Sequence, residues 1–162
     1  MIDIKIGTTW VEEIVWQIKQ GFNFEQAKST FHFARIPWVD RGNSKIVVDE
    51  MPSPRCFKSH SPIKFFPKDF SKTAKVVYVV RNPKDVVVST YKFLKSMKAN
   101  EYVGTFDEMI DLFCEGKTFF GPWWEHVNQY ENLENVHIIH YEELIEVKNS
   151  LKLSKKSNKR II

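Results

Sequence analysis

Lys75-Val76-Val77-Tyr78-Val79-Val80-Arg81-Asn82-Pro83-Lys84-Asp85-Val86-Val87-Val88-Ser89 decides the fold. After Lys75 the first part is apolar on both faces and rich in β-branched residues. That pattern predicts a central parallel strand covered by helices. Arg81-Asn82 ends the strand, and Pro83 suits the first turn of a helix running to about Met97.

Working outward, Asp107 to Cys114 predicts a helix with Thr105 as N-cap. Pro122 opens another, to about Leu133, and Val136 to His140 predicts a strand that Tyr141-Glu142-Glu143-Leu144 leaves. Toward the N-terminus, positions 1–6 read as a short strand with Ile2, Ile4 and Ile6 alternating. Gly7-Thr8-Thr9 makes a turn. A helix follows with Val11, Ile14, Val15 and Ile18 on one face and Gly21 at its end. Positions 22–54 look irregular, punctuated by Pro37, Gly42, Pro52 and Pro54. Cys56-Phe57-Lys58 reads as a short strand entering Ser59-His60-Ser61-Pro62, and Phe65 to Ser71 as a loop or single turn. Strands alternating with helices predict an α/β fold, a parallel sheet with helices on both faces.

The 162 residues are 43% hydrophobic and 27% charged, ordinary for a soluble domain. The net charge of +4 arises in the last fifteen residues, which hold Lys148, Lys152, Lys155, Lys156, Lys159 and Arg160. Without them, 18 of the 24 basic residues face 20 acidic ones, so the body is slightly acidic. We therefore expect one domain over 1–147 and a basic, poorly ordered tail over 148–162. No apolar run reaches the ~18 residues of a membrane span, and residues 1–5 carry no secretory pattern. Cys56 and Cys114 match no metal spacing and suit a reducing, cytoplasmic setting.

Three places could carry chemistry. Lys5-Ile6-Gly7-Thr8-Thr9-Trp10 joins strand to helix, and a glycine before a helix N-terminus lets an anion approach its unpaired N–H groups. A plain helix start capped by Thr8 is the alternative. Lys58-Ser59-His60 lies at a strand end, where ligands of parallel sheets gather; His60 could be a general base or an ordinary loop histidine. Arg81 ends the central strand and Ser89 follows two turns later, a pairing suited to phosphate oxygens or to packing. His32, His126, His137 and His140 form no metal-ligand spacing, so they read as structural and no metal is expected.

In register, these segments resemble the cytosolic sulfotransferases. Lys5 to Trp10 is similar to that family's P-K-S-G-T-T-W loop, Arg55 to Pro62 to R-x-x-K-T-H-L-P, and Arg81 to Ser89 to R-N-x-K-D-V-x-V-S. Phe120-Gly121-Pro122-Trp123-Trp124-Glu125-His126-Val127 and Tyr141-Glu142-Glu143-Leu144 follow in order. The resemblance implies a three-layer core like that of P-loop nucleotide hydrolases, incomplete here. It implies sulfonate transfer from 3′-phosphoadenosine 5′-phosphosulfate to a hydroxyl or amine of a small apolar acceptor. Lys5, Ile6, Gly7, Thr8, Thr9 and Trp10 would wrap the phosphosulfate. Arg81 and Ser89 would hold the 3′-phosphate, and Tyr141 would lie near the adenosine. His60 would take the acceptor's proton, with Lys5 and Lys58 neutralising charge. Phe33, Trp38 and Phe93 would line a site for a phenol, a sterol or another alcohol or amine. Neither nucleic acid nor membrane is an expected partner, and a homodimer stays open.

The sequence departs from the family in places. Ile6 replaces the loop serine, Asp3 stands near an expected aromatic-proline pair, and the match ends near Leu144. Nothing after it resembles the family's late R-K-G-x-x-G-D-W-like segment, and each charge-assisted bond so lost would weaken donor binding by ~1.5–3 kcal/mol. Two rivals follow: an inactive remnant binding nucleotide or a partner chain, and a kinase, which needs a lysine after the glycine and carboxylates for magnesium.

Overall fold

The computed structural model describes residues 7–40, 42, 44–96 and 102–158; the expected strand over 1–6, with Lys5 and Ile6, lies outside them. Helix α1 (Thr8–Lys19) follows Gly7, and three short helices come next: α2 (Phe24–Ser29), α3 (His32–Arg35) and α4 (Ser44–Glu50). A 3-10 turn (Ile63–Phe65) and α5 (Phe70–Thr73) lead into strand β1 (Val76–Val80). Then α6 (Pro83–Ser96), α7 (Phe106–Cys114), α8 (Trp123–Glu131), β2 (Val136–His140) and α9 (Tyr141–Asn158) complete the order.

The two strands run parallel, Val76 opposite Val136 through Val80 opposite His140. A parallel pair needs a long crossover, and α6, α7 and α8 supply it. This is the expected α/β arrangement, with a two-stranded sheet among the described residues. Val79 and Val80 are buried at 4% and 8% exposure. Val77 is 40% exposed, so the strand is covered less evenly than its apolar sequence predicts.

Local chemistry fixes the crossover. Asn82 accepts from the Lys84 N–H at 3.0 Å and starts α6 ahead of Pro83. Thr105 and Glu108 form a reciprocal capping box on α7, the Thr105 N–H donating to Glu108 Oε2 at 2.6 Å. Val87 and Leu94 of α6 bury against Met109 of α7. Positions 22–54, irregular by sequence, hold α2, α3 and α4. These helices run only four to seven residues, too short to show a hydrophobic period. The Asn23 side chain, which accepts from the Gln26 N–H at 3.0 Å, starts the first of them. Helix α9 carries the chain through position 148, where composition changes, to Asn158.

The loop after Lys58 is held by two neighbours. Lys58 pairs with Trp38 in an isolated parallel bridge: the Lys58 N–H donates to Pro37 O and the Val39 N–H to Lys58 O, both at 2.9 Å. Asp40 follows directly, and its carboxylate gathers the loop. Oδ2 accepts from Trp38 Nε1 and the His60 N–H, each at 2.6 Å, and Oδ1 from the Ser59 and Ser61 hydroxyls, each at 2.7 Å. From the other side, Tyr130 donates to Ser61 O at 2.8 Å and the Ile63 N–H donates to Gln129 Oε1 at 3.2 Å. His126 lies 3.1 Å from His60 O through Nε2 and 2.8 Å from the Tyr78 hydroxyl through Nδ1. With Nε2 donating and Nδ1 accepting, a neutral ring satisfies both.

Two groups make this support sensitive to acid. Burial would raise the Asp40 pKa, but its four hydrogen bonds outweigh that and hold the carboxyl below the usual range. Burial is also the main influence on His126, and it pushes the imidazole down. On acidification the unfolded chain takes up each proton before the folded one does. Both contributions are thus complete at neutral pH. The His126 share fades as pH falls below ~6.5 and the Asp40 share below ~4. The urea midpoint is expected to be flat above pH 7, to decline below it and to steepen in the carboxylate range. His126→Gln should remove the upper decline; a profile identical to the parent's would contradict this. Tyr130→Phe should cost about 1 kcal/mol, a melting shift of ~2–4 °C by calorimetry.

Candidate functional site

Two clusters lie along the first two turns of helix α1. The first gathers around Tyr141, which begins α9 directly after β2. Gly7 sits at the N-cap of α1 with φ 97°, a left-handed conformation natural to glycine. A Cβ at Gly7 would overlap the Tyr141 ring. Trp10 meets that ring edge-on at 6.3 Å, and the Arg81 guanidinium lies 4.4 Å from its centroid. The Asn82 N–H donates to Glu142 Oε1 at 2.8 Å and fixes the β1 end beside the α9 start. Thus Gly7, Trp10, Arg81 and Tyr141 share one location, and Thr8 and Thr9 are the first residues of α1 beside it.

This location suits an anion. Gly7 gives α1 no side-chain cap, and the first turn has no acidic residue. Among the described residues, the helix dipole at this end therefore meets neither a side-chain cap from Gly7 nor a carboxylate of the first turn. Arg81 adds a planar cation, its Nη2 4.0 Å from Asp85 Oδ2. Lys148, assigned by sequence to the tail, reaches back to 5.2 Å from the Trp10 ring. Ser89 is half-buried on α6.

The second cluster holds Lys58 and His60, 6% and 5% exposed. His60 meets Trp38 edge-on at 5.2 Å and Phe120 at 5.7 Å. It borders a cavity of about 50 Å³ together with Tyr78, Val86, Phe119 and Phe120. Phe120 has φ 60°, an uncommon conformation for an aromatic residue. Lys58 Nζ lies 5.0 Å from the Trp38 centroid and 3.1 Å from Glu12 Oε1.

The three expected acceptor-lining residues separate. Trp38 is 4% exposed and packs on His60. Phe93 packs against the α6–α7 core, where its helical spacing from Thr90 and Leu94 sends it. Phe33 is 48% exposed on α3, its ring 5.6 Å from Phe31. None of the three borders the cavity, whose aromatic lining comes from Tyr78, Phe113, Phe119, Phe120 and Trp123. Sequence reasoning also passed over Asp40 and Glu12. A lone carboxylate some twenty residues from its partners has no spacing to betray it, although the hydroxyls of Ser59 and Ser61 around His60 hint at a shared acceptor.

The sulfotransferase-domain family model matches residues 4–150. Human sulfotransferase 2A1 is 37% identical over 144 residues, 86% of this chain and 50% of that protein. Mouse sulfotransferase 2B1 is 40% identical over 144 residues, 86% of this chain and 43% of that protein. Retinol dehydratase in complex with androsterone and the inactive cofactor PAP superposes with a TM-score of 0.78 at 24% identity, a likeness of fold covering 86% of this chain and 52% of that one. Mouse sulfotransferase SULT7A1 complexed with PAP gives 0.59 at 29% identity, covering 70% of this chain and 42% of that one. The chain spans about half the length of the curated relatives it matches. With a family match running from the anion-suited turn at Gly7 through Tyr141, the chain belongs to the sulfotransferase family.

Proposed function

We propose that the chain binds 3′-phosphoadenosine 5′-phosphosulfate and transfers its sulfonate to a hydroxyl or amine of a small apolar molecule, in the cytoplasm. One observation carries this reading: helix α1 touches both clusters at once, Trp10 meeting Tyr141 and Glu12 meeting Lys58. With ~1.5 Å of rise per residue, those contacts begin only a few ångströms apart along the helix.

When bound, the donor supplies a sulfonate activated by its link to phosphate. The rest falls to the chain. The α1 N-terminus, Thr8 and Thr9 offer donors to the phosphosulfate oxygens, and Lys5 and Ile6 complete that loop in sequence. Arg81 and Ser89 grip the second phosphate, with the Tyr141 ring beside the base. Lys58 offsets charge at the transferring group. His60 accepts the acceptor's proton, and the Asp40 clamp on its backbone holds it at the cavity wall.

The acceptor is placed in the aromatic cavity. At about 50 Å³ it is far below the ~300 Å³ of a typical ligand pocket, so Phe119 and Phe120 must turn aside to admit one. Phe119 is 57% exposed and free to do so. Phenols and sterols fit such a lining by stacking and burial.

Calorimetric titration with adenosine 3′,5′-bisphosphate, followed by a labelled-donor assay over a phenol panel, tests both halves. Binding with turnover is expected; binding alone would reduce the reading to a nucleotide-holding relative, and no binding would sink it. His60→Ala should lower kcat by ~10²–10⁴-fold with nucleotide affinity within a factor of about 3, and parental turnover would remove His60 as the base. Gly7→Ala should weaken nucleotide binding at least ~10-fold, because the methyl forces Tyr141 away and strains the backbone.

A further inference from the structure

Glu12 has no role in the transfer steps just described, yet it is among the most buried carboxylates of the chain. It starts the second turn of α1 and is 6% exposed. One carboxylate oxygen lies 3.1 Å from Lys58 Nζ, whose side chain is 3% exposed, and the other lies 3.1 Å from His32 Nε2 on α3. The next residue, Glu13, pairs with Arg35 Nη1 of the same short helix at 2.7 Å. Two successive glutamates thus bind α1 to α3, and Glu12 alone continues on to the Lys58–His60 loop.

Buried ion pairs add little net stability, because stripping water from both charges offsets their attraction. The contact matters for where it holds the cation. Lysine is a point charge on a flexible four-carbon stem with three donors. Glu12 engages the Lys58 ammonium beside the Trp38 ring, 5.0 Å from its centroid, and ties it to the helix whose first residues form the anion-suited turn. His32 Nε2 lies 3.1 Å from the second oxygen, on the α3 side of the carboxylate.

We propose that Glu12 is the positioning residue for Lys58: it couples the lysine rigidly to helix α1, so that the charge facing the transferring group and the turn facing the donor phosphates keep one spacing. The inference rests on the transfer reading and deepens it.

Competitive acetylation of the full 162-residue chain with trace acetic anhydride, read by peptide mass spectrometry, tests the tether without any need for turnover. Lys28 and Lys117, exposed and paired with Glu25 at 2.8 Å and Glu115 at 2.7 Å, serve as internal standards. In Glu12→Gln, Lys58 labelling should rise at least ~5-fold against these standards, because an amine released from a buried pair becomes accessible. Unchanged labelling overturns the proposal. Should Glu12→Gln not fold, melting curves decide instead. The double variant Glu12→Gln/Lys58→Met should melt at least ~3 °C above Lys58→Met, which leaves the carboxylate deprived of its ammonium. A double variant melting no higher overturns the tether. With a turning-over parent, Glu12→Gln should lower kcat at least ~10-fold, leave the donor KM within ~3-fold, and add nothing in a Lys58→Ala background. Equal losses in both backgrounds would show that Glu12 does not act through Lys58. A parent that binds no nucleotide counts against the transfer reading, while the labelling result still decides the tether.

Discussion

The Asp40 carboxylate fixes where the Ser59–Ser61 loop can lie. Four donors converge on its two oxygens at 2.6–2.7 Å, from an indole, a backbone amide and two hydroxyls. Hydrogen bonds to an ionised acceptor are the stronger kind, ~1.5–3 kcal/mol each net of the water they replace. Together they bend the loop around a point instead of letting it run on as a strand. His60 is held by its own amide, and its ring is left to face the aromatic wall. Remove the charge and the loop loses its centre, because among the described residues its strand pairing is an isolated bridge between Lys58 and Trp38.

The other side of the loop rests on α8. The Tyr78 and Tyr130 rings stack at 4.5 Å and 6°, and His126 stacks on both. Burial pushes both phenols up, so they remain hydroxyl donors across the physiological range. One hydroxyl meets Ser61 O and the other meets His126. An apolar face of the sheet thus becomes a polar scaffold without leaving its own hydrogen-bonding groups unmet. The residues that hold the loop therefore come from β1, α8 and the segment after α3, elements far apart in sequence.

That dispersion explains what could be read from the sequence. Both strands stand out because β-branched runs bounded by turn residues have few other solutions, and the observed β2, Val136–His140, has the expected limits. The α7 cap was legible because a capping box is local, Thr105 and Glu108 lying three residues apart. The place of Arg81 at the end of the central strand was legible from the sheet rule, while Tyr141 came to the site by the family resemblance alone. What was hidden depends on tertiary contact. Asp40 and Glu12 act on partners distant in the chain, α2 to α4 are shorter than a detectable period, and Phe33 and Phe93 gave no sign of which side they face. Composition reports charge and not helix continuity, and α9 continues from Tyr141 past Lys148 to Asn158.

Helix α9 begins at Tyr141 with no connecting loop after His140, and it runs 18 residues. At ~1.5 Å per residue that is a rod of about 27 Å pivoting at its first residue. Tyr141 is that pivot, and its ring carries Arg81 on one side and presses on Gly7. The direction of the whole helix is thus tied to the one ring that spaces Arg81 from the Gly7 turn.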